Sequence, residues 1–304
     1  MKRAVAATIF ALTAFAAAPV SAMLGPGAPD MAFGAFQRGF YQTAFQEAMK
    51  RIDADKHDAA AMTMVAELLF QGLGVKQDVP EAMRWYGLAA AEGDGNALFA
   101  LGLAYLTGVG EPKDVGKARG LFEQAAAKNH PGALYYLGIL SLEGNGVVSD
   151  FAKAADYFHR SADLGFSDGA YSLALLYKQG RGVEQSDAQA AYWLNRAAQD
   201  NNLPAEVEYG IMLFNGDGVK RDEAAGAKLL LRAAGRNNAV AQNRVARILV
   251  AGRGLKADRV EAMKWHILAT AVGLRDAWLD AELNKLTPAE RAKVEQSVRD
   301  YLGK

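Results

Sequence analysis

The four histidines are the side chains in this sequence best suited to acid–base catalysis or metal binding. They are His57, His130, His159 and His266, and none has a partner at the His-x3-His spacing by which one helix face brings two imidazoles to a metal ion. The sequence contains no cysteine, which excludes a thiolate nucleophile, a thiolate metal site and a disulfide. We therefore assign no catalytic, metal-binding or cofactor-binding residue and expect a protein that is not an enzyme. His266 falls among aromatic positions of its helix, where a packed core ring is expected.

Glycine pairs and a column of acidic residues could also support chemistry, because glycine-rich loops bind phosphate and carboxylates bind calcium. The pairs lack the third glycine and the Lys-Ser/Thr of a phosphate-binding loop, and the carboxylates stand a whole repeat apart with no further ligands around them. A structural role as turns and helix caps explains both columns better. The members are Gly72 and Gly74, Gly108 and Gly110, Gly144 and Gly146, Gly180 and Gly182, Gly216 and Gly218, Gly252 and Gly254, followed by Asp78, Asp114, Asp150, Ser186, Asp222 and Asp258.

These columns recur every 36 residues, a length that accommodates two short helices joined by a tight turn. In the unit 97–132, apolar residues at helical spacing predict a first helix, two glycines allow positive φ in the turn, and an aspartate N-cap begins a second helix. Small residues in the second helix allow close helix packing. Each unit ends at a column of residues that tolerate the left-handed conformation, with His57 one unit before its first member: Gly93, Asn129, Gly165, Asn201, Asn237 and Gly273.

The columns resemble the Sel1-like repeat, a relative of the tetratricopeptide repeat. The pattern Ala-x3-Leu-Gly-x2-Tyr-x2-Gly-x-Gly-Val-x2-Asp-x3-Ala-x2-Trp-Tyr-x2-Ala-Ala stands nearly whole in 97–126 and 133–162. The resemblance covers 61–276 and implies an all-α fold, a right-handed α-solenoid of six 36-residue helix-turn-helix repeats. It also implies protein interaction, since such proteins resemble adaptors for signalling, envelope assembly and host contact.

The two ends of the chain differ from the repeats. Residues 33–60 look like a degenerate repeat and predict an N-terminal cap, and residues 277–304 predict C-terminal capping helices, because terminal repeats need a polar outer face. Residues 1–22 have the basic start, apolar run and small residues of a signal peptide. We expect cleavage near Ala22, a flexible leader at 23–32, a periplasmic or secreted protein, and no stable membrane insertion after cleavage.

The balance of 34 basic and 34 acidic residues gives no strong field of one sign, which argues against nucleic acid as a partner. The positions free to select a partner are those that vary while the columns stay fixed. Two such rows run along the first helices, and stacked helices of this type present one row on a concave face. The candidate groove for a peptide or partner protein is formed by Met64, Glu67, Leu103, Tyr136, Ile139, Ser172, Leu175, Glu208, Arg244 and Arg247.

An alternative interpretation makes Leu103, Ile139 and Leu175 ordinary core between repeats. With the groove interpretation, we predict a periplasmic protein-interaction scaffold or regulator, a monomer without cofactors whose partner is an unidentified envelope protein or peptide. A second hypothesis is a factor that binds envelope polysaccharide or peptidoglycan, because related helical repeats serve polysaccharide export. A third is a hydrolase, a function claimed for cysteine-rich relatives, although this chain has none of their cysteines.

Overall fold

The computed structural model describes residues 30–144 and 148–303, and these ranges contain helices and turns but no strand. The predicted signal peptide and most of the predicted leader lie outside the described residues, as does Gly146 of the third glycine pair. None of the helices in the described ranges has both the length and the apolar character needed to cross a membrane.

The described residues form sixteen helices, numbered here in chain order. Every helix from the third to the fourteenth has 13 residues, which reflects the regular repeat of the sequence. The helices are α1 (Met31–Gln37), α2 (Tyr41–Ala54), α3 (Ala59–Gln71), α4 (Val79–Ala91), α5 (Gly95–Thr107), α6 (Val115–Ala127), α7 (Pro131–Glu143), α8 (Phe151–Asp163), α9 (Ser167–Gln179), α10 (Asp187–Gln199), α11 (Leu203–Asn215), α12 (Glu223–Gly235), α13 (Ala239–Ala251), α14 (Arg259–Ala271), α15 (Ala277–Asn284) and α16 (Pro288–Leu302).

The described residues fall into two compact units, which divide between Trp85 and Tyr86 inside α4. In the first unit, α1 packs against α2 and α2 packs against α3. Gly39, with φ +77°, makes the turn between α1 and α2. A helix pair therefore occupies most of the segment for which the sequence predicts an N-terminal cap.

In the second unit, each helix from α5 to α14 packs against the next helix along the chain, and α16 packs against α14. The odd-numbered helices α5 to α13 are the first helices of their repeats, and the even-numbered helices α6 to α14 are the second helices. Consecutive helix-turn-helix units of this kind confirm the predicted all-α, α-solenoid fold class.

Where the structure describes both glycines of a pair, the turn inside the repeat uses two left-handed residues separated by one position, as the glycine pairs predict. In the fourth repeat, Gly180 has φ +64° and Gly182 has φ +72°, and Ser186 then accepts a hydrogen bond from the Gln189 backbone N–H at 3.3 Å to cap α10. The acidic column caps the other second helices in the same way, which confirms capping as its role. Positive φ is found at the other described glycines of the pairs, Gly72, Gly74, Gly108, Gly110, Gly144, Gly216, Gly218, Gly252 and Gly254.

The closing column also adopts the predicted conformation, with φ between +58° at Asn129 and +93° at Gly273. The extension of this column to His57 is wrong, because only three asparagines among the described non-glycine residues have positive φ. The chain instead leaves α2 through Asp55 in an extended conformation. The Asp55 carboxylate accepts a hydrogen bond from the His57 backbone N–H at 2.9 Å.

The second glycine of a pair is also a contact between consecutive repeats. A Cβ at Gly182 would lie 2.2 Å from the carbonyl carbon of Phe151, at the start of α8 in the preceding repeat, and a Cβ at Gly218 would lie 2.2 Å from that of Asp187 at the start of α10. No side chain fits at such distances, so these positions require glycine. A Cβ at Gly165 would meet nothing within 4 Å, which explains why the closing column accepts asparagine.

Small residues of the second helices lie where paired helices approach each other. Ala118, Ala154 and Ala190 are fully buried. The glycine that replaces this alanine in the fifth repeat, Gly226, lies on α12, where a Cβ would come within 2.6 Å of the Gly210 carbonyl oxygen on α11. The departure from alanine is therefore matched to a closer approach of these two helix backbones.

The last helix closes the second unit at its C-terminal end. Thr287 and Glu290 form a capping box at the start of α16, and Val294 is buried where α16 packs. The Tyr301 hydroxyl lies 2.9 Å from the side-chain oxygen of Asn237, a residue of the closing column of the fifth repeat. The helix thus contacts α14 and the end of the preceding repeat.

Candidate partner-binding surface

The contacts of the histidines are those of packing and surface residues rather than of a metal site. Within residues 30–144 and 148–303, no group of three or more histidine, aspartate or glutamate side chains is arranged to hold a metal ion. The His266 ring is 1% exposed, and its Nε2 lies 2.8 Å from Asp280 Oδ1, so the prediction of a packed ring is confirmed. His159 lies at the surface, with Nδ1 3.0 Å from Asp163 Oδ2.

His130 has a capping role that its position before a proline did not reveal. Its Nδ1 accepts a hydrogen bond from the Ala133 backbone N–H at 3.1 Å at the start of α7, and its ring stacks on Phe99 with centroids 4.3 Å apart. Burial lowers the pKa of His130 to about 4, so the ring stays neutral at pH 7, as an accepting Nδ1 requires. At the equivalent position, other first helices have an aspartate or asparagine as N-cap: Asp58, Asp94, Asn202 and Asn238.

One serine falls in a Gly-x-Ser-x-Gly stretch at 165–169, a spacing found around hydrolase nucleophiles. That motif works at a sharp strand-to-helix turn, whereas Ser167 is the first residue of α9 and follows a helix, α8. A Cβ at Gly169 would lie 2.6 Å from the Ser161 hydroxyl oxygen, so this glycine serves close packing between α8 and α9. The local structure therefore does not form a nucleophile elbow.

The candidate groove residues lie on the first helices with unequal exposure. Leu103 is 7% exposed within the core around Phe122, which favours the alternative interpretation for this residue. In the first unit, Met64 is 7% exposed and Glu67 is half-buried. We call the accessible members in the second unit, together with Ile211 of the same row, the first-helix face: Tyr136 and Ile139 on α7, Ser172 and Leu175 on α9, Glu208 and Ile211 on α11, and Arg244 and Arg247 on α13.

The α7 end of the first-helix face is aromatic. Tyr136 is half-buried and stacks on Phe122 of α6, with centroids 5.4 Å apart and planes at 18°. Phe99 of α5 lies 5.8 Å from the same ring. Burial raises the pKa of Tyr136, so its phenol is neutral and presents a rigid, partly accessible apolar surface.

The α13 end of the first-helix face is positively charged and borders a cavity of about 310 Å³. The face changes from apolar to charged between α9 and α11, where Lys178 of α9 forms an ion pair with Glu208 of α11 at 2.5 Å. Sequence reasoning found Arg244 and Arg247, and it placed Ile211 in the second variable row of the first helices, but it did not find the other residues of this cavity, which come together only through packing. We call the cavity the arginine pocket, lined by Ile211, Phe214, Asn215, Leu230, Arg244, Arg247, Ile248, Ala251, Arg253 and Trp278.

An acidic cap fixes one wall of the arginine pocket. Asp276 caps α15 and receives hydrogen bonds from Arg247 Nε at 2.6 Å and Nη2 at 2.8 Å. Burial alone would raise the pKa of Asp276, but the hydrogen bonds from Arg247, Asn243 and the Leu279 backbone together lower it to about 2. The resulting ion pair holds Arg247 over the Trp278 ring, 5.2 Å from its centroid.

A second acidic residue is buried away from this pocket. Glu206 of α11 is fully buried and pairs with Arg232 of α12 and with Arg236, the latter at 2.9 Å. Arg236 also donates a hydrogen bond to the Asn201 carbonyl at 3.2 Å. All partners of the carboxylate belong to the structural contact between α11 and α12, so we assign Glu206 to stability.

Comparison with known proteins gives concordant results. The family model described as "Sel1 repeat" matches six consecutive segments, 59–94, 95–130, 131–166, 167–202, 203–238 and 239–273. A solved Sel1 repeat protein from Oxalobacter formigenes is 30% identical, covers 79% of this chain and 98% of its own, and superposes with a TM-score of 0.71. No protein among the curated sequences matches the chain.

A more distant similarity concerns the fold alone. The structure of c5321, a protective antigen present in uropathogenic Escherichia coli strains and displaying an SLR fold, is 24% identical to this chain. The match covers 87% of this chain and 64% of the antigen, with a TM-score of 0.54. The six matched segments coincide with the helix pairs from α3–α4 to α13–α14.

Proposed function

Because this chain belongs to the Sel1 repeat family, we propose that it is a protein-interaction scaffold or regulator that holds a peptide or partner protein on its first-helix face. Sel1 repeat proteins generally mediate protein–protein interaction. The observation that carries the proposal is a series of accessible apolar side chains at fixed positions of three consecutive first helices. They are Tyr136 and Ile139 on α7, Leu175 on α9 and Ile211 on α11.

The mechanism is reversible occupancy of this face, without covalent chemistry. Ile139, Leu175 and Ile211 are each half-buried in the free protein. Complete burial of such a side chain contributes about 1.5–3 kcal/mol, so covering the part that is still exposed, which is less than half of each side chain, adds about 0.5–1 kcal/mol for each residue at most. A charged substitution there removes this contribution and also places a charge in a desolvated contact.

The proposed location is the periplasm, which the order of basic, apolar and small residues in 1–22 supports. The test is to express the full chain in a Gram-negative host and sequence the N-terminus of the protein recovered from the periplasm. A mature chain that begins at Met23 supports the proposal. A full-length chain that remains in the cytoplasm contradicts this location without affecting the binding proposal.

The binding proposal is tested with a photo-crosslinking amino acid incorporated at Ile139 or Leu175, followed by capture from periplasmic extract. The face variant carries Ile139→Glu and Leu175→Glu, and it is compared with wild type in a pull-down. The matched control is Tyr192→Glu, which changes an exposed side chain on α10, outside the face. Circular dichroism confirms that each variant is helical.

We expect the wild type and the Tyr192 control to retain the same partner and the face variant to lose it, with crosslinks at positions 139 and 175. The proposal is wrong if the wild type captures no protein or if the face variant captures the same set. Cosedimentation with peptidoglycan sacculi is measured in parallel. Retention of sacculi that is lost only in the face variant would favour the polysaccharide hypothesis over a protein partner.

A further inference from the structure

The arginine pocket combines apolar walls with positive charge at one end of the first-helix face. Cavities that bind small ligands span roughly 300–1,000 Å³, and this cavity of about 310 Å³ is at the lower limit. Its size therefore suits one or two residues of a peptide. The Trp278 ring is 43% exposed, and the other apolar walls are Ile211, Phe214, Leu230, Ile248 and Ala251.

The three arginines of the pocket differ in how their charges are used. Arg247 makes a bidentate ion pair with Asp276, and Arg253 pairs with Glu223 at 2.8 Å. Arg244 has no hydrogen bond, ion pair or ring contact with any residue in the described parts of the chain, and it is exposed. One guanidinium at the pocket is thus left without an acidic partner.

We propose that the arginine pocket binds an acidic peptide, with a carboxylate on Arg244 and a large apolar side chain of the same peptide against the pocket walls. The inference rests on the proposed function, because it names the chemistry of a partner on the first-helix face. The planar fork of a guanidinium matches the two oxygens of a carboxylate. The apolar walls shield part of this contact from water, which strengthens it relative to an ion pair in bulk solvent.

The charges favour a carboxylate over a phosphate group. Arg247 and Arg253 already hold carboxylates and stack near rings, 5.2 Å from Trp278 and 5.0 Å from Phe214. Their guanidinium groups serve as flat walls, and Arg244 supplies the single unmatched charge. A phosphate group carries more charge and three acceptor oxygens, which one free guanidinium does not match.

The position of the pocket favours a peptide over an isolated small acid. Arg244, Arg247 and Ile211 belong to both the pocket and the first-helix face. A peptide lying along α9, α11 and α13 therefore reaches the pocket without leaving the face. Its apolar residues then meet Leu175 and Ile211, and its acidic residue meets Arg244.

The test selects ligands without assuming a sequence. A library of random octapeptides with amidated ends is selected on the wild-type protein and, separately, on Arg244→Ala. Individual selected peptides are labelled with fluorescein, and their affinities are measured by fluorescence anisotropy. The matched control is Arg119→Ala, which removes an arginine on α6 outside the pocket. Trp278→Phe reports location, since binding in the pocket changes the Trp278 emission.

We expect the wild-type selection to enrich Asp or Glu next to Phe, Leu, Ile or Met. Arg244→Ala should weaken a selected peptide at least tenfold, Arg244→Lys less than that, and Arg119→Ala less than twofold. Replacing the peptide's Asp by Asn should have the effect of Arg244→Ala. The emission change on binding should vanish in Trp278→Phe.

The proposal is overturned if no acidic residue is enriched, if Arg244→Ala binds the selected peptides as tightly as wild type, or if inorganic phosphate binds more tightly than the peptide. Its failure is separable from that of the proposed function. A partner lost in the Ile139→Glu, Leu175→Glu variant but retained by Arg244→Ala would keep the first-helix face as the binding surface and remove the pocket from it.

Discussion

Replacing Gly182 by alanine should separate two costs that glycine avoids in this fold. The first is conformational, because Gly182 has φ +72° and an L-residue in the left-handed region loses about 1–2 kcal/mol. The lower entropy of the unfolded alanine chain offsets roughly 0.4–1 kcal/mol of this. The net conformational loss is about 1 kcal/mol.

The second cost is steric and involves the preceding repeat. The new Cβ would lie 2.2 Å from the carbonyl carbon and oxygen of Phe151 and 2.6 Å from the Ala152 nitrogen. All three atoms are backbone at the start of α8, so the loop and the helix must move apart. Overpacking of this kind costs about 1–3 kcal/mol, which gives a total of about 2–4 kcal/mol for Gly182→Ala.

The matched control is Gly165→Ala, where φ is +83° but a Cβ meets nothing within 4 Å. We expect this variant to lose only the conformational term of about 1 kcal/mol. Urea denaturation followed by circular dichroism measures both, with nearest-neighbour fitting in case the repeats unfold in steps. Equal losses for the two alanine variants would refute the close approach between repeats as the reason for glycine.

Three further variants test the charged groups. Glu206→Gln removes a buried charge whose arginine partners remain partly solvated, so urea denaturation should show a loss of about 1–2 kcal/mol, against less than about 1 kcal/mol for the Glu208→Gln control. Because the folded pKa of His130 is lowered to about 4, the unfolded chain binds more protons between pH 4 and about 6.5. The free energy of unfolding should therefore decrease as the pH is lowered through that window. The loss, about 2–3 kcal/mol at pH 4.5 relative to pH 7, should be absent in His130→Asn by thermal unfolding. Asp276→Asn should destabilise α15, because it weakens the cap of that helix. It should also release Arg247 from its ion pair, so calorimetry should show tighter binding of an acidic octapeptide. An unchanged affinity would contradict the conclusion that Asp276 occupies the charge of Arg247.

Local requirements of the backbone explain what the sequence predicted well. The turn needs positive φ at Gly180 and Gly182, and the helix that follows needs a side-chain acceptor at Ser186. Both requirements restrict residue type at a fixed position, so they appear directly in the sequence. The closing column is equally visible, although whether a position accepts asparagine depends on the space around it, as at Gly165.

Tertiary packing determines what the sequence did not reveal. Leu103 and Leu175 occupy the same column, yet Leu103 is buried in the core and Leu175 is half-buried, because neighbouring side chains differ between repeats. His130 replaces the acidic or amide caps of other first helices, a substitution that only the hydrogen bond to α7 identifies. Trp278 of α15 lines the arginine pocket. It lies beyond the last repeat, so the repeat columns give no basis for predicting its position.

The contact of Gly182 and Gly218 with the preceding repeat has a consequence for how a repeat protein of this kind changes length. At Gly182 and at Gly218, the turn of one unit fits against the helix start of the unit before it, so each joint depends on residues of two neighbouring repeats. Deleting or duplicating 36 residues, or a multiple of 36, recreates an equivalent joint, whereas an insertion or deletion that shifts the register places a side chain against that helix start. Repeat number can therefore drift in whole steps while the register is preserved, and each step lengthens or shortens the surface offered to a partner by one helix.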